Sequence, residues 1–450
     1  MKEVIVIGGG LAGTEAALQV AKRGIKVKLY EMKPVKFSDA HTNEDLAEVV
    51  CSNSFKSNLL TNACGLLKEE LRILGSELIP VADSTSVPAG QALAVDRETF
   101  SRKVTELVEK NENIEVIREE VTEIPQDSIV IIATGPLTSE VLSERIKELT
   151  GSDKLFFYDA AAPIIDKDSI NMDIAFYGDR YSQEREKEEP EEEWRERIKS
   201  EEGSYINLPM NKEEYEKFWE ELVNAEVVEL HEFEKREIFE GCMPLEIMAK
   251  RGMDTLRFGP LKPVGFTDLR TARRPYAVVQ LRQDNSEGNL YNIVGFQTNL
   301  KFGEQKRVFS LIPGLENANF VKYGVMHRNT YINSTMVLDN TYNMNEDENI
   351  FFAGQITGVE GYVESIASGF IAGINAANKI LGKDKFVMPK ETVNGALADY
   401  ISTENDKFQP MNANFGILPK LDENIRDKKV KYQKMADRSL EIIKIIKENV

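Results

Sequence analysis

KEVIVIGGGLAGTEAALQVAKRGIKVKLYE, residues 2–31, decides the fold. KEVIVIG (2–8) is a compact β-branched run ending in glycine and reads as a buried parallel strand. LAGTEAALQVAKRG (11–24) is Ala-rich, favours helix and stops at Gly24; VKLYE (27–31) is the next strand. Strand, glycine loop, helix and strand make a βαβ unit that opens a doubly wound sheet. Within the loop, Gly8, Gly10 and Gly13 have G-x-G-x-x-G spacing. Gly8 allows the tight turn, Gly10 lets backbone approach a pyrophosphate, and Gly13 permits close helix–strand packing. The helix that starts at Leu11 and Ala12 then turns its positive end toward the phosphates. That spacing alone is weak evidence, but Glu31 closes the second strand about 20 residues on, where a carboxylate accepts from ribose hydroxyls. Residues 8–13, Gly9 included, together with Glu31 are therefore expected to bind a dinucleotide.

Two later segments choose among dinucleotides. DSIVIIATG (127–135) and ENIFFAG (348–354) are apolar strands that each end in glycine, and the second leads into the Gly-punctuated run 355–382. An NAD site does not need a second contact so late in the chain, whereas FAD-binding flavoproteins are built in two parts. Gly135, Gly354, Gln355 and Tyr362 join the expected FAD contacts. Many such proteins have Asp where this chain has Gln355; a neutral amide still bonds a hydroxyl and repels phosphate less. The fold class is thus α/β, with a Rossmann-like FAD-binding domain split between 1–154 and 321–450. An inserted α/β substrate domain is expected over 155–320. Its segment 183–203 is acidic, with ten acids against five bases over 183–202, and reads as a solvated helix or loop. The tail 425–450 reads as an amphipathic terminal helix.

Composition narrows the function. The 450 residues are 42% apolar and 29% charged, an ordinary soluble balance. No apolar run reaches the roughly 18 residues a membrane span needs, and the N-terminus lacks a secretory pattern. Three cysteines without CxxC spacing argue against a disulfide framework or a metal site and fit a reducing cytoplasm. The net charge of −19 opposes nonspecific binding to nucleic acid, DNA included, because phosphate contacts need clustered cations. Such a cluster does occur locally: Lys250, Arg251, Arg257, Arg273, Arg274 and Arg282 crowd one stretch, and Arg328 follows. These are the expected RNA contacts.

Two of the three cysteines lie in VVCSNSFKSNLLTNACGLLKEE (49–70). Cys64, beside Leu66 and Leu67 in a helix-like run, reads as packing. Cys51 sits among Ser52, Asn53, Ser54 and Lys56; its residues alone leave catalysis, redox pairing and structure open. Cys242 lies between Gly241 and Met243-Pro244.

Longer matches settle that choice. GGGLAGTEAA (8–17), CSNSFKSN (51–58), LTNACGLLKEE (60–70), VPAGQALAVDRETFS (87–101), FEGCMPLEIMAKRG (239–252), AVVQLRQDN (277–285), VGFQTNLKFGEQKRVF (294–309), YGVMHRNTYINS (323–334) and AGQITGVEGYVES (353–365) together resemble the folate-dependent tRNA uracil-5 methyltransferase family (TrmFO). The resemblance spans almost the whole chain outside the acidic insert. It implies a cytoplasmic enzyme that moves the one-carbon unit of 5,10-methylenetetrahydrofolate to uracil C5 in RNA, with FAD and either NADPH or NADH as reductant. In most members the target is the T-loop uridine of tRNA; a minority modify ribosomal RNA. It also implies a catalytic pair, Cys51 and Cys242, one adding to C6 and the other handling the C5 proton. No membrane and no obligate protein partner are expected. GidA-like wobble-modifying flavoproteins share the flavin frame but are longer and lack this cysteine pattern. The rival reading in another class is an FAD oxidoreductase of a small molecule.

Overall fold

The computed structural model describes residues 3–38, 40–151, 155–182, 189–199, 203–228, 243–406 and 408–448. Cys242 and much of the acidic segment 183–203 lie outside the described residues.

A five-stranded parallel sheet organises the first core, in the order Ile350–Phe352, Ile129–Ile132, Glu3–Ile7, Lys26–Glu31, Ile114–Arg118. The register sets Val6 beside Leu29 on one side and Ile131 on the other. Val4 and Val6 point to one face and Ile5 and Ile7 to the other, yet all four are buried. Both faces are covered, which explains why the sequence shows apolar runs and no alternation. The strand Ile350–Phe352 pairs with Ile129–Ile132, so late chain completes a sheet that early chain begins.

Glycines bring the covering helices close. The helix Leu11–Lys22 packs on the helix Tyr362–Leu381. A methyl at Gly369 would stand 2.1 Å from the Ala12 carbonyl oxygen, and one at Gly373 would stand 2.6 Å from that of Ala16. Only a residue without Cβ allows this backbone approach. The tail does form a helix, Lys428–Lys447, which buries Met435, Ala436, Ser439 and Ile443. Glu70, fully buried on the helix Ala63–Leu74, accepts hydrogen bonds from Val393 N, Asn394 N, Asn394 Nδ2 and Ser439 Oγ. Burial raises its pKa, and those four donors offset the cost of a carboxylate out of water.

A six-stranded antiparallel sheet carries a second core. Its order is Phe176–Tyr177, Tyr205–Met210, Ala277–Gln283, Leu290–Ile293, Ile164–Asp166, Phe320–Lys322. Leu208, Phe218, Leu281, Phe296 and Phe309 are fully buried there. The chain leaves the first sheet through Leu155–Ala160 and returns through Met326–Tyr331, and these two strands pair antiparallel. A small third sheet, Ser54–Ser57, Ala92–Val95 and Ser86–Val87, carries the chain that follows Cys51.

Candidate active site

Gly8, Gly9 and Gly10 line an open cavity of about 1230 Å³, counted out into solvent at its mouth. Each glycine has a different reason to be there. Gly8 has φ +107°, and a methyl on it would meet the Ala133 carbonyl oxygen at 2.5 Å. Gly13 packs helix on turn: its methyl would stand 1.8 Å from the Gly8 oxygen. Gly10 has an ordinary φ of −77°, and a methyl there would meet no protein atom within 4 Å. Neither backbone nor packing demands glycine at 10, so the missing side chain leaves room for a ligand. Glu31, 8% exposed, accepts from Gly9 N at 3.0 Å and Lys33 N at 2.9 Å, and its oxygens keep acceptor capacity for hydroxyls. Gly135, Gly354, Gln355, Leu11, Ala12 and Tyr362 line the same cavity. Gly354 N donates to Ser368 Oγ at 2.7 Å, while the Gln355 amide donates to the buried Glu360. These features suit a dinucleotide bound along the turn and across to residue 354.

Cys51 borders this cavity, and Tyr362 fixes it there. Cys51 N and Ser52 N donate to the Tyr362 hydroxyl oxygen at 3.1 and 3.2 Å. With both lone pairs engaged, the phenol proton faces Cys51 Sγ, 3.1 Å away. Burial first, and the neighbouring thiol second, hold the Tyr362 phenol well above its usual pKa, so it stays protonated. The sequence suggested Tyr362 as a cofactor contact; the structure adds a hydroxyl contact to sulfur.

The segment around Cys51 is clamped by groups that sequence reasoning missed. Arg97 Nη1 donates to Val49 O and Val50 O at 2.9 and 2.8 Å, and its Nε contacts both oxygens of Asp284. Lys68, fully buried, donates to Phe55 O at 2.6 Å and Ser57 O at 2.8 Å. Asn53 Nδ2 donates to Val95 O and Gln283 O, both at 3.0 Å. Lys56 pairs with buried Glu364 at 3.1 Å. Asp284→Ala is expected to cost about 3–5 kcal/mol, because it strands a buried guanidinium. Urea unfolding followed by tryptophan fluorescence checks this; an unchanged midpoint would show the pair to be idle.

Arg282 requires a correction. Expected to contact RNA, it is 8% exposed and donates to Asn53 Oδ1 and Ser52 Oγ, both at 2.9 Å. Its place in the apolar strand Ala277–Gln283 turns it inward, under the Cys51 segment. The other basic residues divide. Arg257 lies over the Tyr276 ring at 3.5 Å and pairs with Asp254. With exposed Arg273 and Arg274 it lines one open cleft, which Lys212 also borders. Among the described residues, the side chains of Arg273 and Arg274 have no carboxylate partner, whereas Arg72, Arg97, Arg145, Arg270 and Arg307 all do. Lys250 and Arg251 are exposed at the end of the helix Leu245–Lys250. Arg328 is in the strand Met326–Tyr331, and its side chain lies outside the described ones.

Cys64 is packing, as its leucine neighbours imply. It is 2% exposed, and burial pushes its thiol up to about 12. Its pKa is higher folded than unfolded, so any stability from this thiol is intact below about pH 9 and lost as pH rises toward 12. Native protein treated with iodoacetamide at about pH 8 is expected to leave Cys64 unmodified while Cys51 reacts. Peptide mass mapping reads the result; rapid labelling of Cys64 would contradict it.

Comparison with known proteins identifies the family. Residues 3–384 match the family model described as glucose inhibited division protein A, GIDA. Two solved forms of Aquifex aeolicus GidA superpose with TM-scores of 0.66 and 0.67 at 18% identity, covering 98% of this chain and 73% and 76% of theirs. At that identity they establish the fold, a Rossmann-type α/β frame. Sequence relatives are far closer. The methylenetetrahydrofolate–tRNA-(uracil-5-)-methyltransferase TrmFO of Acetivibrio thermocellus is 60% identical over 98% of this chain and 97% of its own length. That of Fusobacterium nucleatum is 57% identical over 98% of each. With a cysteine held at the edge of a glycine-lined cavity and identity sustained end to end, the chain belongs to the TrmFO family of methylenetetrahydrofolate–tRNA-(uracil-5-)-methyltransferases.

Proposed function

We propose that this protein is a cytoplasmic enzyme that methylates C5 of the T-loop uridine of tRNA. The carbon comes from 5,10-methylenetetrahydrofolate and the electrons from NADH or NADPH, by way of bound FAD. Near-full-length identity of 60% to a TrmFO relative carries the reading. The reaction balances as follows. A methylene carbon becomes a methyl by gaining a hydride, uracil C5 loses a proton, and the two folate nitrogens freed of the methylene take up that proton and one more from solvent. The products are 5-methyluridine, tetrahydrofolate and oxidised nicotinamide. FAD, when bound, supplies that hydride.

The chain's own groups do the rest. The Gly8–Gly13 turn and the first turn of its helix hold pyrophosphate, and Glu31 holds ribose. Gly135, Gly354 and Gln355 border the remainder of the cofactor. Uracil C5 becomes nucleophilic only when a thiolate adds to C6 and generates an enolate. Cys51 and Cys242 share two tasks: one adds to C6 and leaves at the end, and the other takes the C5 proton. The Tyr362 hydroxyl directed at Cys51 supports its thiolate. Arg273 and Arg274, without a carboxylate partner among the described residues, meet RNA phosphates, and Lys250, Arg251, Arg257 and Arg328 are the further RNA contacts.

Labelled methylenetetrahydrofolate, FAD and NAD(P)H, incubated with an unmodified tRNA transcript, are expected to yield labelled 5-methyluridine. Label in ribosomal RNA and none in tRNA would move the target. Reduced flavin with no labelled RNA would favour a small-molecule oxidoreductase.

A further inference from the structure

We infer that Asn329 reads a ring lactam edge, an adjacent N–H and C=O, on a flat heterocycle bound in the cavity beside Cys51. Asn329 lies in the strand Met326–Tyr331, is 1% exposed and lines that cavity. Among the described residues, neither its Oδ1 nor its Nδ2 has a hydrogen-bond partner. An amide buried without partners is costly, and a chain keeps one where a ligand completes it. The inference rests on the reading of this cavity as the place of flavin and folate.

Other buried amides of this protein show what the missing partner looks like. Gln305 accepts from Gly324 N and donates to Gly324 O, both at 2.8 Å. Asn375 accepts from Phe386 N at 2.7 Å and donates to Phe386 O at 2.9 Å. Each clasps one N–H and one C=O that lie side by side. Asn329 offers the same donor and acceptor with nothing opposite. Its backbone is well fixed: the strand pairs with Leu155–Ala160, Thr330 N donates to Pro136 O, and Ile332 N donates to Ile356 O, next to Gln355. The amide therefore sits where the Pro136 and Gln355 segments border the cavity. The isoalloxazine ring of FAD and the pterin ring of folate both carry the lactam edge.

The test uses full-length wild type and Asn329→Ala, which removes the amide without adding bulk. Dissociation constants for FAD and for tetrahydrofolate are measured on the apoprotein by fluorescence and calorimetry, along with its melting temperature. Loss of one ligand amide pair is expected to weaken binding about tenfold. The apoprotein is expected to melt no lower than wild type, because an unpartnered amide has gone. Weakening toward FAD assigns the edge to the flavin, and weakening toward tetrahydrofolate alone assigns it to the pterin. Where the weakening is toward FAD, FAD methylated at ring N3 is expected to lose affinity for wild type and to bind Asn329→Ala as unmodified FAD does. Affinities for both ligands within twofold of wild type overturn the inference, as does a lower apoprotein melting temperature with binding intact. If wild type binds neither ligand, the functional reading itself fails and this inference falls with it.

Discussion

Cys51→Ala is expected to lower methyl transfer to tRNA by about 10³-fold or more while leaving FAD bound. Removal of a thiol that adds to C6, or of one that takes the C5 proton, leaves the chain with no replacement at that point. Ser52 is next in sequence, but its hydroxyl accepts from Arg282 and Ser54 N. Cofactor content reports whether the variant is folded. Tyr362→Phe separates the thiol from its support: sulfur remains, while the hydroxyl that accepts from Cys51 N and Ser52 N is gone. About a tenfold loss is expected there, the effect of one hydrogen bond to a reacting group. Steady-state label incorporation with flavin absorbance measures both variants. Activity of Cys51→Ala above a tenth of wild type would remove the sulfur from the chemistry.

Such residues differ in how visibly the sequence announces them. The three turn glycines were legible because each answers a local demand: a positive φ at Gly8, a helix–turn contact at Gly13, open space at Gly10. The parallel sheet was legible because strands buried on both faces are continuous apolar runs. Cys64 was legible from the leucines beside it in an amphipathic helix. Arg282 was misread because a count of charges along the chain treats sequence neighbours as surface neighbours. The apolar run AVVQLRQ around it marks a buried strand, and an arginine inside such a strand needs an internal acceptor. Arg97, Lys68 and Asp284 carried no local mark at all. Their partners lie far along the chain or are backbone carbonyls, which sequence does not display. Asn329 belongs with them, since an amide looks alike in sequence whether its atoms are paired or bare.

Two alanines placed three residues apart are expected to fail in opposite ways. Gly13→Ala puts a methyl 1.8 Å from the Gly8 carbonyl oxygen, a backbone atom that cannot turn aside. The helix must shift from the turn, at a cost of about 1–3 kcal/mol or more, so the apoprotein melts lower whether or not a ligand is added. Gly10→Ala adds the same methyl where no protein atom lies within 4 Å, at a φ of −77° that alanine adopts freely. Its apoprotein is expected to melt at or slightly above wild type, because replacing glycine at a compatible φ restricts the unfolded chain by about 0.4–1 kcal/mol. What Gly10→Ala loses is the close approach of a pyrophosphate. Ligand at a hundred times its dissociation constant stabilises a protein by about 2.7 kcal/mol, and a hundredfold weaker affinity removes most of that. FAD should therefore raise the melting temperature of wild type and leave that of Gly10→Ala nearly unchanged. Melting curves of the three apoproteins with and without FAD decide the matter. Wild-type affinity in Gly10→Ala would mean that no phosphate passes over residue 10, and the turn would be a structural loop without a ligand.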